Sequence, residues 1–223
     1  MRRVTSVGAM GFNGAMPAAN DLRVQLRAHW PLSGDEALRE DLLDAWDRPG
    51  YHDLQHLADV LARLAELAEA GVDYPHLPVW LAAWFHDAVY DGERDAEERS
   101  ATWAEDVLPL TVGEETAAEV ARLVRMTETH EPAEDDVAGC ALSDADLAIL
   151  AAPATRYAAY VRSVREEYAH LDEDAFALGR AQVLEHLAEK PTLFHTEPAR
   201  AAWESAARAN LADELSDLRR VAS

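Results

Sequence analysis

With 223 residues, 49% of them hydrophobic and only ten Gly and ten Pro, the chain has the composition of a folded globular protein, not of a linker or a low-complexity segment. Its formal charge of −22 and pI near 4.6 repel nucleic acid backbones and anionic membrane surfaces, which argues against a nucleic acid polymer or a membrane as partner. Cys140 is the only cysteine, so no intramolecular disulfide can form, and a reducing, cytoplasmic setting is the expectation.

The first 19 residues mix small and polar side chains around three methionines and contain no continuous apolar run of signal-peptide length. They read as a leader with no assigned function. From 20 to 218 the apolar residues recur at steps of three and four, and no strand alternation interrupts them, which predicts a single all-α domain built as a helical bundle. The predicted helices span 20–30, 35–47, 53–70, 77–90, 95–108, 114–130, 144–151, 153–170, 173–189 and 198–217. Gly71 is the expected stop of the third, Pro75 and Pro78 bracket the start of the fourth, and Ser143 or Asp144 is the expected cap of the helix holding "DLAIL". No segment approaches the roughly twenty apolar residues of a membrane span. The apolar pattern of "ARAAWESAARANLADEL" suits packing within one chain or against a second copy, so a homo-oligomer stays open.

One stretch raises a chemical problem. "WFHDAVYD" sets His86 and Asp87 among Trp84, Phe85, Val89 and Tyr90, where two ionisable groups are costly to bury without compensation. A divalent metal ion would supply it. Hard ions used in hydrolysis take nitrogen and oxygen ligands, and two further stretches offer them. In "YHDLQHLADVL", His52 and His56 are four residues apart and share a face if both are helical; in "LSDADLAIL", Asp144 and Asp146 open an apolar run. Adjacent helical residues diverge by about 100°, so His86 and Asp87 meet one ion only if it lies between their directions and other helices complete the shell.

In this order, a histidine, a His-Asp doublet and a distant aspartate, the chain resembles the HD superfamily of metal-dependent phosphohydrolases. It is similar in particular to a group of predicted HD phosphohydrolases, through "YHDLQH", "WFHDAVYD", "EERSA", "MTETH", "SDADLAIL", "YVRSVREEY", "GRAQVLEHL" and "ARANLADEL", which together cover about residues 50–215. The resemblance implies an HD-type helical domain with His56, His86, Asp87 and Asp146 as metal ligands. His52 and Asp144 are the competing choices within that set, or else groups supporting it. His130 is open to two readings, a contact to substrate or to a second metal, and a histidine favoured by a helix end. Asp91 is a candidate proton carrier or water-orienting group, with capping or solvent exposure as the alternative. Tyr90 stands where some HD nucleotidases carry a glutamate. Arg94, Arg99 and Arg125, with Glu98, are the nearby candidates for binding substrate or supporting the ligands.

The implied activity is hydrolysis of a small phosphate ester, a nucleotide included, with one divalent ion (Mn, Mg, Co, Ni, Zn or Fe) and room for a second. Asp91 and His130 are the expected catalytic groups, and the expected partner is a small phosphorylated molecule. Two other readings stay open: an HD-type di-iron oxygenase, and a non-catalytic module that binds metal or ligand.

Overall fold

The computed structural model describes residues 19–221, so the leader reading of 1–19 falls almost wholly outside the described residues. Within them the protein is all-helical, as the periodicity predicts: α1 (Ala19–Ala28), α2 (Glu36–Trp46), α3 (Leu54–Glu69), α4 (His76–Phe85), α5 (Ala96–Val107), α6 (Pro109–Val112), α7 (Glu114–Met126), α8 (Val137–Leu147) with a 3-10 extension (Ala148–Ala151), α9 (Ala154–Glu167), α10 (Glu173–Glu189) and α11 (Glu197–Val221). Among the described residues no single helix is long and apolar enough to cross a membrane.

Two helices form the centre because their sequences leave them no exposed face. In α4 every residue from Val79 to Phe85 is buried, as expected of a helix that is apolar all round. Residues Ala138–Ala145 of α8 are also buried, and their small side chains let neighbouring backbones come close. The amphipathic α3 lies against both, burying Leu54, Leu57, Val60, Leu61, Leu64 and Leu67 at helical spacing. Asp53 caps α3 by accepting from the Gln55 and His56 amides. At its other end Gly71, at φ 97°, closes a Schellman turn in which Val72 N–H donates to Leu67 O.

Three predicted boundaries are corrected. The helix expected over 77–90 stops at Phe85; Ala88 N–H turns back to Phe85 O, and Arg48 donates to the free carbonyls of Asp87 and Ala88. A guanidinium there also meets the negative end of the helix dipole. The helix expected over 114–130 ends at Met126, and a turn carries the chain to His130, whose φ of 52° is left-handed. The helix expected from 144 begins at Val137, capped by Asp136, whose carboxylate accepts from Gly139 N–H. Ser143 and Asp144 therefore lie inside that helix and do not cap it.

Candidate metal centre

The early end of α4 gives the His-Asp doublet its geometry. His86 is the C-cap, its Nδ1 bonds Ala83 O at 2.8 Å, and that bond leaves the Nε2 lone pair facing inward. Asp87 is the first residue of the turn, so its carboxylate swings to the same side. His56, in the first turn of α3, brings its Nε2 to 3.2 Å from His86 Nε2 and 3.2 Å from Asp146 Oδ1. Asp87 Oδ2 lies 3.4 Å from His86 Nε2 and 3.6 Å from His56 Nε2, and Asp146 Oδ1 is 3.7 Å from His86 Nε2. Metal–ligand bonds of 2.0–2.2 Å place neighbouring donors about 3.0–3.5 Å apart, so this spacing fits the edges of a coordination shell. His56, His86 and Asp146 alone form a group able to hold a metal ion.

The electrostatics point the same way. His56 and His86 are each 1% exposed. Burial by itself pushes the His56 imidazole down, but Asp146 and Asp87 reverse this and hold it at about 10. Burial likewise opposes charge on Asp87, yet His86, His52 and His56 keep its carboxyl below the ordinary carboxylate range. Asp146 is held well below that range by His86 and His56, again against burial. In the protein alone, protons on imidazole stand where a cation would compensate the two carboxylates.

The two choices left open by sequence are separated by helix geometry. Asp144 and Asp146, two apart on α8, point about 200° apart. Asp146 faces the centre, whereas Asp144 accepts from His195 N–H (2.7 Å), Thr196 N–H (2.8 Å) and Thr196 Oγ1 (2.7 Å), tying down the chain that enters α11. His52 lies just before α3 and outside it, so the shared helix face of His52 and His56 does not arise. It approaches the centre only to 3.9 Å, from Nε2 to Asp87 Oδ2, while its Nδ1 meets both Glu167 oxygens at 3.0 Å and its ring stacks on Tyr90 with centroids 4.0 Å apart. Glu167, from "YVRSVREEY" on α9, thereby orients an imidazole at the edge of the centre.

His130 also arrives here. Its Nε2 is 3.6 Å from Asp146 Oδ2, its Nδ1 is 3.2 Å from Ser143 Oγ, and burial lowers its pKa, which favours the neutral ring. Asp91 does not arrive: it is exposed and bound to Arg99 by two 2.7 Å hydrogen bonds, so the expected proton-carrier position is corrected to a surface ion pair. Arg125 joins Glu98 and Glu105 between α5 and α7, and Arg94 is exposed. None of Asp91, Arg94, Glu98, Arg99 and Arg125 lines the cleft described next.

That cleft, of about 770 Å³, opens over the centre; Asp87, His130 and Asp146 reach its wall while His56 and His86 do not. Sequence reading missed most of its lining, and three of the missed side chains bear on the chemistry. Glu97 is half-buried, and burial together with the Asp87 charge raises its carboxyl. Tyr160 on α9 is buried and packs on Tyr51. Arg180 on α10 is the cleft's only arginine or lysine among the described residues, held by Glu214 (2.8 Å) and the Tyr160 hydroxyl (2.8 Å). Glu97, Tyr160 and Arg180 all sit in motifs already singled out, and only packing shows which way they face. Arg48, which seals the end of α4 between the rings of Trp46 and Tyr90, left no signal in the sequence. No protein-family model, curated protein or solved structure matches the chain.

Proposed function

We propose that the protein is a metal-dependent hydrolase of a small phosphate ester. The observation that carries this reading is the meeting of His56, His86, Asp87 and Asp146, from three distant parts of the chain, beside an open cleft. The motif order that resembles the HD superfamily supports it. The four side chains would hold a divalent ion, whose chemistry there is Lewis acidity toward water and a phosphoryl oxygen. Arg180, fixed by Glu214, faces the cleft as the donor for a further phosphoryl oxygen. His130, neutral and in the cleft wall, accepts the proton of the attacking water at Nε2. His52, oriented by Glu167, steadies the Asp87 carboxylate.

The test begins with elemental analysis of protein purified without added metal, followed by phosphate release from monoesters, diesters and nucleotides by the same preparation. His86→Ala and Asp87→Ala should each lose bound metal and lower kcat/KM by about a hundredfold or more. Release from no ester by metal-replete protein would sink the reading. The approach of His52 and His130 favours a second reading, a di-iron oxygenase, because they add two imidazoles beside the four donors. Two irons per chain with oxygen consumption would select it.

A further inference from the structure

A second cavity of about 410 Å³ adjoins the cleft beside the metal centre, and the two share His52, Tyr90, Tyr160, Arg180 and Val183 as walls. Beyond the shared residues its wall is apolar or aromatic, with Val164 from α9, Phe176 and Gly179 from α10, and Tyr168 and Leu171 between them. Among the described residues no carboxylate or lysine lines it. Val183 borders both cavities yet is 53% exposed, an apolar side chain that a ligand would cover.

Charge limits what can occupy the two adjoining spaces together. With Asp87 and Asp146 given over to the cation, Glu97, Glu128 and Glu131 still line the cleft, against the single guanidinium of Arg180, which Glu214 already pairs. A ligand with a chain of phosphates would bring several negative charges along this acidic wall. One phosphoryl group at the centre, with an uncharged remainder turned toward α10, avoids that repulsion and covers the apolar wall. A dry cavity on the order of 150 Å³ is enough to hold benzene, so the side cavity has room for a fused ring pair.

We propose that the side cavity binds the uncharged aromatic or branched aliphatic group of a phosphate monoester, and so selects such esters over nucleoside di- and triphosphates. This rests on the hydrolase reading above. In the reaction the oxygen of water bonds to phosphorus as the ester P–O bond breaks. One proton from water ends on the departing alkoxide, and nothing is oxidised or reduced.

Gly179 supplies the test, because it lines the cavity and a Cβ built there meets nothing within 4 Å, so a larger side chain fits at the cavity's rim without displacing the fold. The full-length protein, loaded with the divalent metal that gives most turnover, is assayed on naphthylethyl phosphate, ethyl phosphate and ATP. The first two release alcohols of similar basicity. Naphthylethyl phosphate should exceed each of the others in kcat/KM by about tenfold or more, and Gly179→Leu should lower its advantage over ethyl phosphate by a similar factor. Leu178→Ser, exposed on the same helix and outside the lining, should leave that advantage intact. Binding of naphthylethanol, followed by its fluorescence and independent of turnover, should weaken in Gly179→Leu and not in Leu178→Ser. An active enzyme that prefers ATP or shows no preference for the naphthyl ester overturns this proposal and leaves the hydrolase reading standing. Naphthylethanol binding that is absent, or indifferent to Gly179→Leu, also overturns it. Gly179-sensitive binding with no phosphate released from any ester overturns the hydrolase reading and the ester with it, and retains only a pocket for an apolar group.

Discussion

His56 is a side chain on which burial and charge pull in opposite directions. Its folded pKa of about 10, against an ordinary 6.5, means that in metal-free protein its protonated form contributes stability fully below about 6.5 and loses that contribution as pH rises through about 10. Asp87 and Asp146 are shifted down, so their contribution is present above the ordinary 3.8 and disappears as pH falls through their depressed values. A cation must displace the His56 proton to bind. Metal uptake at about pH 7 should therefore release protons, and affinity should tighten as pH rises. Calorimetry in two buffers of different ionisation heat measures this directly; uptake without proton release would show that His56 is not a ligand.

Helix α8 puts two aspartates to different uses, and substitution can separate them. Asp144→Ala leaves the His195 and Thr196 amides without their acceptor, which should cost about 3 kcal/mol and lower Tm by roughly 10 °C while metal is retained. Asp146→Ala should lose the metal instead. Thermal unfolding and metal content measured on the two variants check the assignment, and a metal-free Asp144→Ala protein of unchanged Tm would reverse it. Both residues were legible in "SDADLAIL" as candidates, and the resemblance favoured Asp146 as the ligand, but the physical reason was not legible: the helix was expected to begin at 144, and its start at Val137 is what fixes the two directions. The doublet shows the same limit. Periodicity carries α4 on to 90, because Val89 and Tyr90 continue the apolar pattern, whereas Arg48 binds the carbonyls that end it.

Across the whole molecule, buried polar links join helices distant in sequence. Glu214 on α11 accepts from Tyr157 on α9 at 2.5 Å and from Arg180 on α10 at 2.8 Å, with both side chains of the ion pair nearly buried. Glu214→Ala leaves Arg180 charged and unpaired, which should cost about 3–5 kcal/mol and be seen as a lower denaturant midpoint. An unchanged midpoint would mean that water already compensates Arg180. The net charge of −22 acts over the entire surface, and screening of that self-repulsion should raise Tm by a few degrees between low and roughly 0.5 M salt. A flat Tm would show that the surface pairs already balance it.

The sequence by itself determined the all-helical class and most helix positions, because helical periodicity is written in local order, and it offered the histidines and aspartates of the centre as candidates through the cost of burying His86 and Asp87 and through a motif order that resembles the HD superfamily's. Tertiary structure decided which aspartate faces the centre, that His130 joins it, that Asp91, Arg99 and Arg125 pair at the surface, that Arg180 lines the cleft, that Glu167 orients His52 at its edge, and that Gly179 borders the side cavity. Those outcomes depend on where a helix stops and what packs beside it. Side-chain direction turns by about 100° per residue, so a small shift in a helix end exchanges the face that meets solvent for the one that meets the cleft.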